Sequence, residues 1–289
     1  MAEITSEMIK ELREKTSAGM MDCKKALVEN GGDMQAASDW LRQKGIIKAG
    51  KKAGRVAASG LVHVVSCDNF ACVVEVNAET DFVAKNDKFQ DLVVMIGERA
   101  LAEKGNFEKV SVSTKDEIAS VIATIGENMA LRRMASVRGD VVFTYVHNAI
   151  RAGMGQIAVA VSFNGDAAKI AEIGPKIAMH IAAAKPEFMT VSEVAPEIVA
   201  REKKIFIESG ATAGKPEQIA EKMIAGRMQK YYAESVLEEQ PFVMDPGKNI
   251  KTIVEEHRGK LAGFACYVLG EGIEKQADNL ADEVAKLLG

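Results

Sequence analysis

The first 45 residues carry apolar side chains at helical spacing in three short stretches. Thr5 precedes the first stretch, Asp33 precedes the third, and Gly45 closes it. Thr and Asp before an apolar periodic run are typical helix N-caps, and glycine is typical of a helix end. The pattern predicts three short helices that form a small N-terminal module, because so few residues cannot build a larger core.

The next part of the chain contains an internal repeat. The repeated pattern consists of an apolar run, a loop and a stretch with helical spacing. It starts at 73–76 and occurs again 85 residues later, starting at 158–161. A second strand-like run precedes each copy, at 60–65 and at 140–146. Each copy therefore predicts the order strand, strand, loop, helix. Two such copies predict an α+β fold whose core consists of two related strand-strand-helix subdomains.

The other segments predict elements around this core. Residues 115–133 predict a helix that is broken or bent near its glycine. A stretch at 197–209 and a second one opened by Pro216 predict two antiparallel helices, whose narrow apolar seams indicate an inserted short coiled coil. A strand at 263–269 and a last amphipathic helix at 273–288 complete the chain.

These elements divide the chain into five predicted parts. The N-terminal module with a basic connector comes first. Two core subdomains follow, with the helical hairpin inserted into the second one, and a C-terminal helical module comes last. The N-terminal module with its connector is 1–55, and the first core subdomain is 56–140. The second core subdomain is 141–190 with 236–270, the hairpin is 191–235, and the C-terminal module is 271–289. The hairpin can pair with a second copy to form a homodimer or reach another partner, and both options stay open.

The turn after the strand at 71–76 carries an acid followed by a large aromatic, Asp81 and Phe82. A strand normally leads into a polar turn, so an aromatic there needs a separate reason. The equivalent corner of the second copy has Ala167 in place of the aromatic. Because the scaffold works with alanine at that corner, contact with a partner protein is the favoured explanation of Phe82. Core packing that is specific to the first copy is the alternative.

Charge is uneven along the chain. The net charge of −4 does not favour nucleic-acid binding by the whole molecule. A basic excess lies in residues 42–55, where Lys48, Lys51, Lys52 and Arg55 have the spacing of one helical face. Such a stripe can contact phosphates, but a solvated face or a contact with an acidic protein surface is favoured.

The sequence lacks the motifs of common enzymes. There is no Walker-type phosphate loop, no complete dinucleotide-binding glycine turn, no nucleophile elbow and no zinc-protease motif. Cys67 and Cys72, with His63 nearby, can be imagined as metal ligands, but reduced thiols are favoured because paired Cys-x-x-Cys clusters are missing. We expect no cofactor, no metal and no catalytic site. An enzyme with an unrecognised site is an alternative.

Composition indicates a folded protein of the cytoplasm. Apolar residues make up 47% of the 289 residues, which is ordinary for a globular chain. The start of the chain, residues 1–4, lacks the charged beginning and apolar core of a signal peptide. No apolar stretch approaches the ~20 residues of a membrane span. We therefore expect a cytoplasmic protein without a membrane contact.

Two long motifs are similar to those of a known family. Residues 12–27, LREKTSAGMMDCKKAL, and residues 75–85, EVNAETDFVAK, resemble the two signatures of the bacterial elongation factor Ts family. The runs at 51–57 and 215–223 fit the family as well, and the resemblance covers essentially the whole chain. The N-terminal module also resembles ubiquitin-associated helical modules.

The resemblance implies a guanine-nucleotide exchange factor that binds elongation factor Tu in its GDP form and speeds GDP release, without binding nucleotide itself. It implies that Asp81 and Phe82, here called the exchange wedge, enter the G domain of that GTPase near its magnesium and phosphate site. The implied contact residues of this region are Thr80, Asp81, Phe82, Val83, Ile125 and Gly126. Other implied contacts are Arg13, Met20, Met21, Lys24 and His147, together with the C-terminal helix.

The residues leave a second class of function open. A non-catalytic adaptor binds other proteins or RNA through the N-terminal module and the basic connector. Met20 and Met21 suit such a surface because methionine adapts to different partners, but both can equally close the core of the module. Loss of those partners on deletion of residues 1–55, with no exchange activity in the intact chain, favours the adaptor.

Overall fold

The structure is a computed structural model that describes residues 4–16 and 18–274, with the backbone alone described at 46–49 and 51. The chain divides into two compact units. Unit 1 comprises the described parts of Met1–Val62, Val74–Met134 and Val268–Gly289, and unit 2 comprises His63–Val73 and Ala135–Tyr267. This division is coarser than the five predicted parts, which stay a prediction.

Helices and strands are mixed along the described residues, which confirms the α+β class. In chain order the α-helices are α1 (Ser6–Thr16), α2 (Met20–Glu29), α3 (Met34–Lys52), α4 (Asp87–Ala102), α5 (Phe107–Ser113), α6 (Lys115–Ile125), α7 (Ala167–Ile170), α8 (Gly174–Ala184), α9 (Pro196–Glu208), α10 (Glu217–Ser235) and α11 (Ile250–Glu256). The strands are β1 (Ser59–Cys67), β2 (Phe70–Ala78), β3 (Met129–Arg138), β4 (Val141–His147), β5 (Met154–Gly155), β6 (Ile157–Gly165), β7 (Pro241–Phe242), β8 (Asp245–Asn249) and β9 (Gly259–Val268).

The N-terminal module of unit 1 consists of α1, α2 and α3, as predicted. Both predicted caps are present, because Met8 N–H donates to Thr5 Oγ1 (3.2 Å) and Ala36 N–H donates to Asp33 Oδ1 (2.8 Å). One apolar side of each helix is buried against the other two. The fully buried residues of this small core are Leu12, Cys23, Ala26, Leu27 and Ala37.

The predicted end of the third helix at Gly45 is wrong, because α3 continues to Lys52. Gly45 is buried where α3 packs against α6. A Cβ atom at Gly45 would lie 3.4 Å from the Cβ of Ala123. The glycine therefore allows two helices to approach closely, and it does not end one of them.

The predicted helix over residues 115–133 is correct only in its first part. Gly126 ends α6 with φ at +92°, and its N–H donates to Ile122 O (2.8 Å). This is the left-handed helix end that glycine favours. After a short loop the chain continues as β3 from Met129. β3 is the first strand of a four-stranded sheet with the order β3-β2-β1-β5.

The internal repeat is confirmed. In unit 2, β4 and β6 form the predicted antiparallel hairpin, with Val146 opposite Ala158. A three-stranded sheet has the order β4-β6-β9. The helix after each hairpin buries the equivalent positions, Leu92 and Ile96 in α4 and Ile177 and Ile181 in α8. Each copy thus covers a sheet with one amphipathic helix, which is how the core of each unit is built.

The inserted helical hairpin is formed by α9 and α10, which pack on each other. No residue of α9 is buried, and Met228 is the buried apolar residue of α10. Pairing of this hairpin with a second copy stays a prediction. The predicted last helix at 273–288 lies almost entirely outside the described residues. Among the residues that the structure describes, no helix is both long and apolar enough to cross a bilayer.

Candidate functional site

The exchange wedge lies in unit 1, in the turn between β2 and α4. Phe82 is 79% exposed, whereas Val83 beside it is buried. Ala84 N–H donates to Asp81 O (3.2 Å) and Lys85 N–H donates to Phe82 O (3.2 Å), which closes a short 3-10 turn. Val83 anchors this turn in the core while the phenyl ring of Phe82 stays in solvent. Core packing, the alternative explanation of Phe82, is therefore wrong.

Two carboxylates join this turn to the loop between α6 and β3. Glu127 accepts hydrogen bonds from Thr80 N–H (2.9 Å) and from Thr80 Oγ1–H (2.8 Å). In the opposite direction, Glu79 accepts a hydrogen bond from Asn128 N–H (2.5 Å). Charge-assisted hydrogen bonds are stronger than neutral ones, so the two loops hold each other at the base of the turn. The four residues Glu79, Thr80, Glu127 and Asn128 are called the carboxylate clasp below.

The end of α6 also places the predicted residues Ile125 and Gly126 at the same site, because they directly precede Glu127 of the clasp. The carbonyl of Gly126 accepts a hydrogen bond from Lys52 Nζ at the C-terminal end of α6. A cation is favourable there because it meets the negative end of the helix dipole. The structure thus brings together the two predicted groups, Thr80 to Val83 and Ile125 with Gly126.

The N-terminal group of predicted contact residues lies on α1 and α2. Arg13 and Lys24 are exposed, and Met20 and Met21 are exposed by 58% and 76%. The alternative in which both methionines close the core of the module is therefore wrong. Val28 was not predicted, but it is 57% exposed and lies seven residues after Met21. That spacing, which places both residues on one side of α2, is the signal in the sequence that could have found it.

His147, the other predicted contact residue, lies in unit 2. It is exposed at the end of β4, opposite Ile157 of β6. Its Nδ1 lies 3.3 Å from the hydroxyl of Tyr145. The structure therefore shows His147 on the surface of a different unit, and its role as a contact stays a prediction.

The basic connector takes part in internal contacts. Lys52 Nζ donates to Gly126 O, and Arg55 Nη1 lies 3.5 Å from Glu79 Oε2. Arg55 follows the end of α3, so the prediction that four cations share one helical face is wrong. The side chains of Lys48 and Lys51 lie outside the described residues. Because two of the four cations bind groups of unit 1, the stripe has less capacity to contact phosphates.

Cys23 and Cys72 have the properties of structural thiols. Burial raises the pKa of Cys72 to about 11. Burial is also the largest cause that raises the pKa of Cys23, while Cys67 is exposed. Since the thiolate is the reactive and metal-binding form, a raised pKa opposes both roles. Within residues 4–16 and 18–274, no group of three or more His, Cys, Asp or Glu residues is arranged to hold a metal ion.

Comparisons with known proteins agree on one family. The sequence model of the family described as "Elongation factor TS" matches residues 79–271. The elongation factor Ts of Hyphomonas neptunium is 51% identical to this chain, and the match covers 99% of each. The elongation factor Ts of Rhodospirillum centenum is 48% identical, and the match covers 100% of each chain. That of Sinorhizobium fredii is 47% identical, and the match covers 98% of each chain. The matched relatives thus span the exchange wedge, the clasp, His147 and the N-terminal module.

Proposed function

This chain belongs to the elongation factor Ts family, and we propose that it is a guanine-nucleotide exchange factor in translation elongation. It binds elongation factor Tu in its GDP form and speeds the release of GDP. The observation that carries the proposal is Phe82, an exposed aromatic on a turn that is fixed at both ends. Because its partner works in protein synthesis, the chain acts in the cytoplasm.

The proposed mechanism is a change in the affinity of the partner for its nucleotide. GDP in a GTPase is held largely by Mg²⁺ and by backbone amides around its phosphates. Asp81 and Phe82 enter the G domain near this site and disturb the magnesium ion and the loop at the β-phosphate. Exchange follows because the factor binds the nucleotide-free partner better than the GDP-bound partner. The chain itself needs no catalytic site, since the partner holds the nucleotide.

The size of the effect requires contacts beyond the wedge. Burying the side chain of Phe82 contributes about 1.5–3 kcal/mol. Because each ~1.4 kcal/mol is tenfold in affinity, the wedge alone changes the affinity for GDP by about 10- to 100-fold. A larger effect needs the remaining contacts to hold the partner while the wedge acts. We assign that role to Arg13, Met20, Met21 and Lys24 on the N-terminal module and to His147 in unit 2.

The adaptor hypothesis has less support. It depends on a basic face near the end of α3, where Lys52 and Arg55 already bind Gly126 and Glu79. The exposed side chains of α2 are available to either function. The two hypotheses differ in one property, because an adaptor binds partners without changing nucleotide release.

The test is the release of fluorescent GDP from purified elongation factor Tu. We expect a small amount of this chain, added with an excess of unlabelled GDP, to accelerate release from a much larger amount of the GTPase. If the chain accelerates release while it is present at less than one molecule per GTPase, each molecule has acted more than once. Simple trapping of the nucleotide-free form cannot produce such turnover. An unrelated protein at the same concentration is the control. A release rate equal to that of the control would refute the exchange function and favour the adaptor.

A further inference from the structure

The carboxylate clasp connects two loops that are distant in sequence. Glu127 lies 47 residues after Thr80 and accepts both of its donors, the backbone N–H and the side-chain hydroxyl. Glu79 accepts the backbone N–H of Asn128, which lies 49 residues after it. Each loop therefore supplies a carboxylate to a backbone amide of the other. Such reciprocal bonds restrain both loops at once, because neither can move without breaking a charge-assisted hydrogen bond.

A third segment is attached to the same place. The side-chain amide of Asn128 donates to Arg55 O (2.8 Å), and Lys52 Nζ donates to Gly126 O. These contacts fix the end of α3 against the loop that carries Glu127. Asn128 is itself buried, so its bonds are shielded from competing water. The end of α3 thus holds the clasp through contacts that do not involve the wedge itself.

The second copy of the repeat allows the hydrogen bonds of Thr80 to be compared with those at the equivalent corner. Its residue equivalent to Thr80 is Gly165, whose N–H donates to Asp140 Oδ2 (2.9 Å). A carboxylate therefore holds the corner amide in both copies. Gly165 has no hydroxyl, and a Cβ atom there would lie 2.2 Å from Arg258 O. The bond from the hydroxyl of Thr80 thus occurs in the copy that carries Phe82, whereas the bond from a carboxylate to the corner amide occurs in both copies.

Phe82 needs restraint from its neighbours because its own side chain makes little contact in the free chain. Ordering one residue costs roughly 1–2 kcal/mol of conformational entropy. A turn that is already fixed before binding avoids part of that cost when the ring enters a partner. The clasp ends at Thr80, two residues before Phe82, and Val83 is buried immediately after it. The wedge is therefore held on both sides.

We propose that Glu127 is a positioning residue for nucleotide exchange, acting through the hydroxyl and amide of Thr80 to hold the wedge in its binding geometry. This inference rests on the proposed exchange function. It gives Thr80 a role different from a direct contact, since its hydroxyl is used by Glu127. It also predicts that the clasp acts through Phe82, so that disturbing the clasp has no further effect once the phenyl ring is removed.

The test uses four variants of the full chain. Thr80→Val removes the hydroxyl donor at nearly constant shape, and Thr80→Ser keeps it. Glu127→Ala removes the carboxylate, and Glu98→Ala on the exposed side of α4 is the matched control. We expect Thr80→Val to lower the maximal rate of GDP release by about 3- to 10-fold, as the loss of a hydrogen bond to a charged group suggests. Glu98→Ala keeps the wild-type rate, and Thr80→Ser, which retains the hydroxyl donor, loses less of the rate than Thr80→Val.

Combination with Phe82→Ala distinguishes positioning from an independent contribution. If Glu127 acts through the wedge, Glu127→Ala lowers the rate in the wild-type chain and has no further effect in the Phe82→Ala chain. If the two substitutions together lower the rate by the product of their separate factors, the inference is overturned. Amide hydrogen exchange at Thr80 gives a second readout without the partner. We expect it to become faster in Glu127→Ala and to stay unchanged in Glu98→Ala, and an unchanged rate in Glu127→Ala contradicts the inference.

Failure of the inference and failure of the proposed function give different results. A wild-type rate for Phe82→Ala itself refutes the wedge and the inference together. A slow Phe82→Ala chain with wild-type rates for Thr80→Val and Glu127→Ala refutes the inference alone. If Glu127→Ala does not fold, as a thermal melt would show, Thr80→Val and Thr80→Ser provide the same comparison with a smaller change.

Discussion

The carboxylate of Glu75, fully buried on β2, accepts a hydrogen bond from Arg133 Nε at 2.5 Å. Arg132 Nη1 (3.0 Å) and Gly270 N–H (2.8 Å) donate to the same carboxylate. Arg133 also donates to Val268 O (2.9 Å). Glu75 therefore connects β2, β3 and the chain after β9 within unit 1. A buried charge is stable here because several donors replace the water it has lost.

Glu75→Gln is expected to destabilise the chain. Glutamine keeps the shape but has one acceptor oxygen and no charge, so the two arginines lose the buried carboxylate that they share. We expect a loss of about 1.5–3 kcal/mol in the free energy of unfolding at pH 7, measured by urea denaturation. Glu271→Gln is the matched control, because Glu271 also pairs with Arg133 but is mostly exposed. Its effect should be below about 1 kcal/mol. Equal effects of the two substitutions contradict this account.

The contribution of Glu75 depends on pH. Burial opposes its ionisation, but the hydrogen bonds from Gly270, Arg133 and Arg132 outweigh burial and lower the pKa below the ordinary 4.5. A lowered carboxyl pKa stabilises the fold above about pH 4.5, and this contribution is lost as the pH falls through the folded-state value. The difference in unfolding free energy between the wild type and Glu75→Gln should therefore shrink below pH 4.5. A constant difference down to pH 3 would be inconsistent with that linkage.

His180 in unit 2 provides the opposite kind of pH dependence. Its Nε2–H donates to Gln240 Oε1 (2.9 Å), and its Nδ1 accepts from Val243 N–H (3.4 Å), so the neutral ring fits both partners. Burial lowers the pKa of His180 below 6.5, and the bond with Gln240 offsets this only in part. Its stabilisation is complete above about pH 6.5 and is lost as the pH falls, because the unfolded chain binds the proton more readily.

We therefore expect His180→Gln to flatten the fall in unfolding free energy between pH 7 and pH 5. Urea denaturation across that range measures the slope, and His147→Gln controls for the removal of an exposed imidazole. The prediction fails if the slope of His180→Gln equals that of the wild type.

Gly126 and Gly50 should respond to alanine with opposite signs. Gly126 has φ at +92°, where alanine is strained, so Gly126→Ala should cost about 1–2 kcal/mol of stability. Gly50 lies inside α3 with open space around it and no positive φ. Gly50→Ala should stabilise the chain by about 0.5–1 kcal/mol. Thermal melts of both variants check the pair, and a stabilised Gly126→Ala chain would show that the helix end is assigned wrongly.

The local features of the fold were predictable because their causes are local. Thr5 and Asp33 cap helices through atoms three residues away, and the antiparallel hairpins follow from apolar runs that are close in sequence. The exposed position of Phe82 was predictable for a different reason. The repeat supplied an internal comparison, since Ala167 occupies the same corner in the second copy.

The features that the sequence did not reveal depend on distant partners. Gly45 has the signature of a helix end, but its role is set by Ala123, which packs against it from α6. The strand that begins at Met129 needs β2 as its neighbour, and helical spacing hid it. The clasp joins Glu79 and Glu127 to amides of another loop, and the sequence around an acidic residue does not show which distant amide it binds.

The exposed side of α2 should contribute to partner affinity more than to the exchange step. Met21→Asp and Val28→Asp place a charge where an apolar contact is expected, so each should raise the Kd for elongation factor Tu by about 10-fold or more. Val112→Asp is the matched control, because Val112 on α5 is 78% exposed, much as Met21 is. Titration calorimetry with the nucleotide-free GTPase measures the affinities. Equal losses in all three variants would argue against a specific surface on α2.

The most direct test of the account is the maximal rate of GDP release from elongation factor Tu with Phe82→Ala. We expect the rate to fall by about 10- to 100-fold, because the burial energy of one aromatic side chain is lost from the exchange step. The variant should melt like the wild type, since Phe82 is exposed in the free chain. Phe107→Ala, which removes another exposed phenyl ring of unit 1, should keep the wild-type rate. A folded Phe82→Ala chain that releases GDP at the wild-type rate would contradict the wedge mechanism.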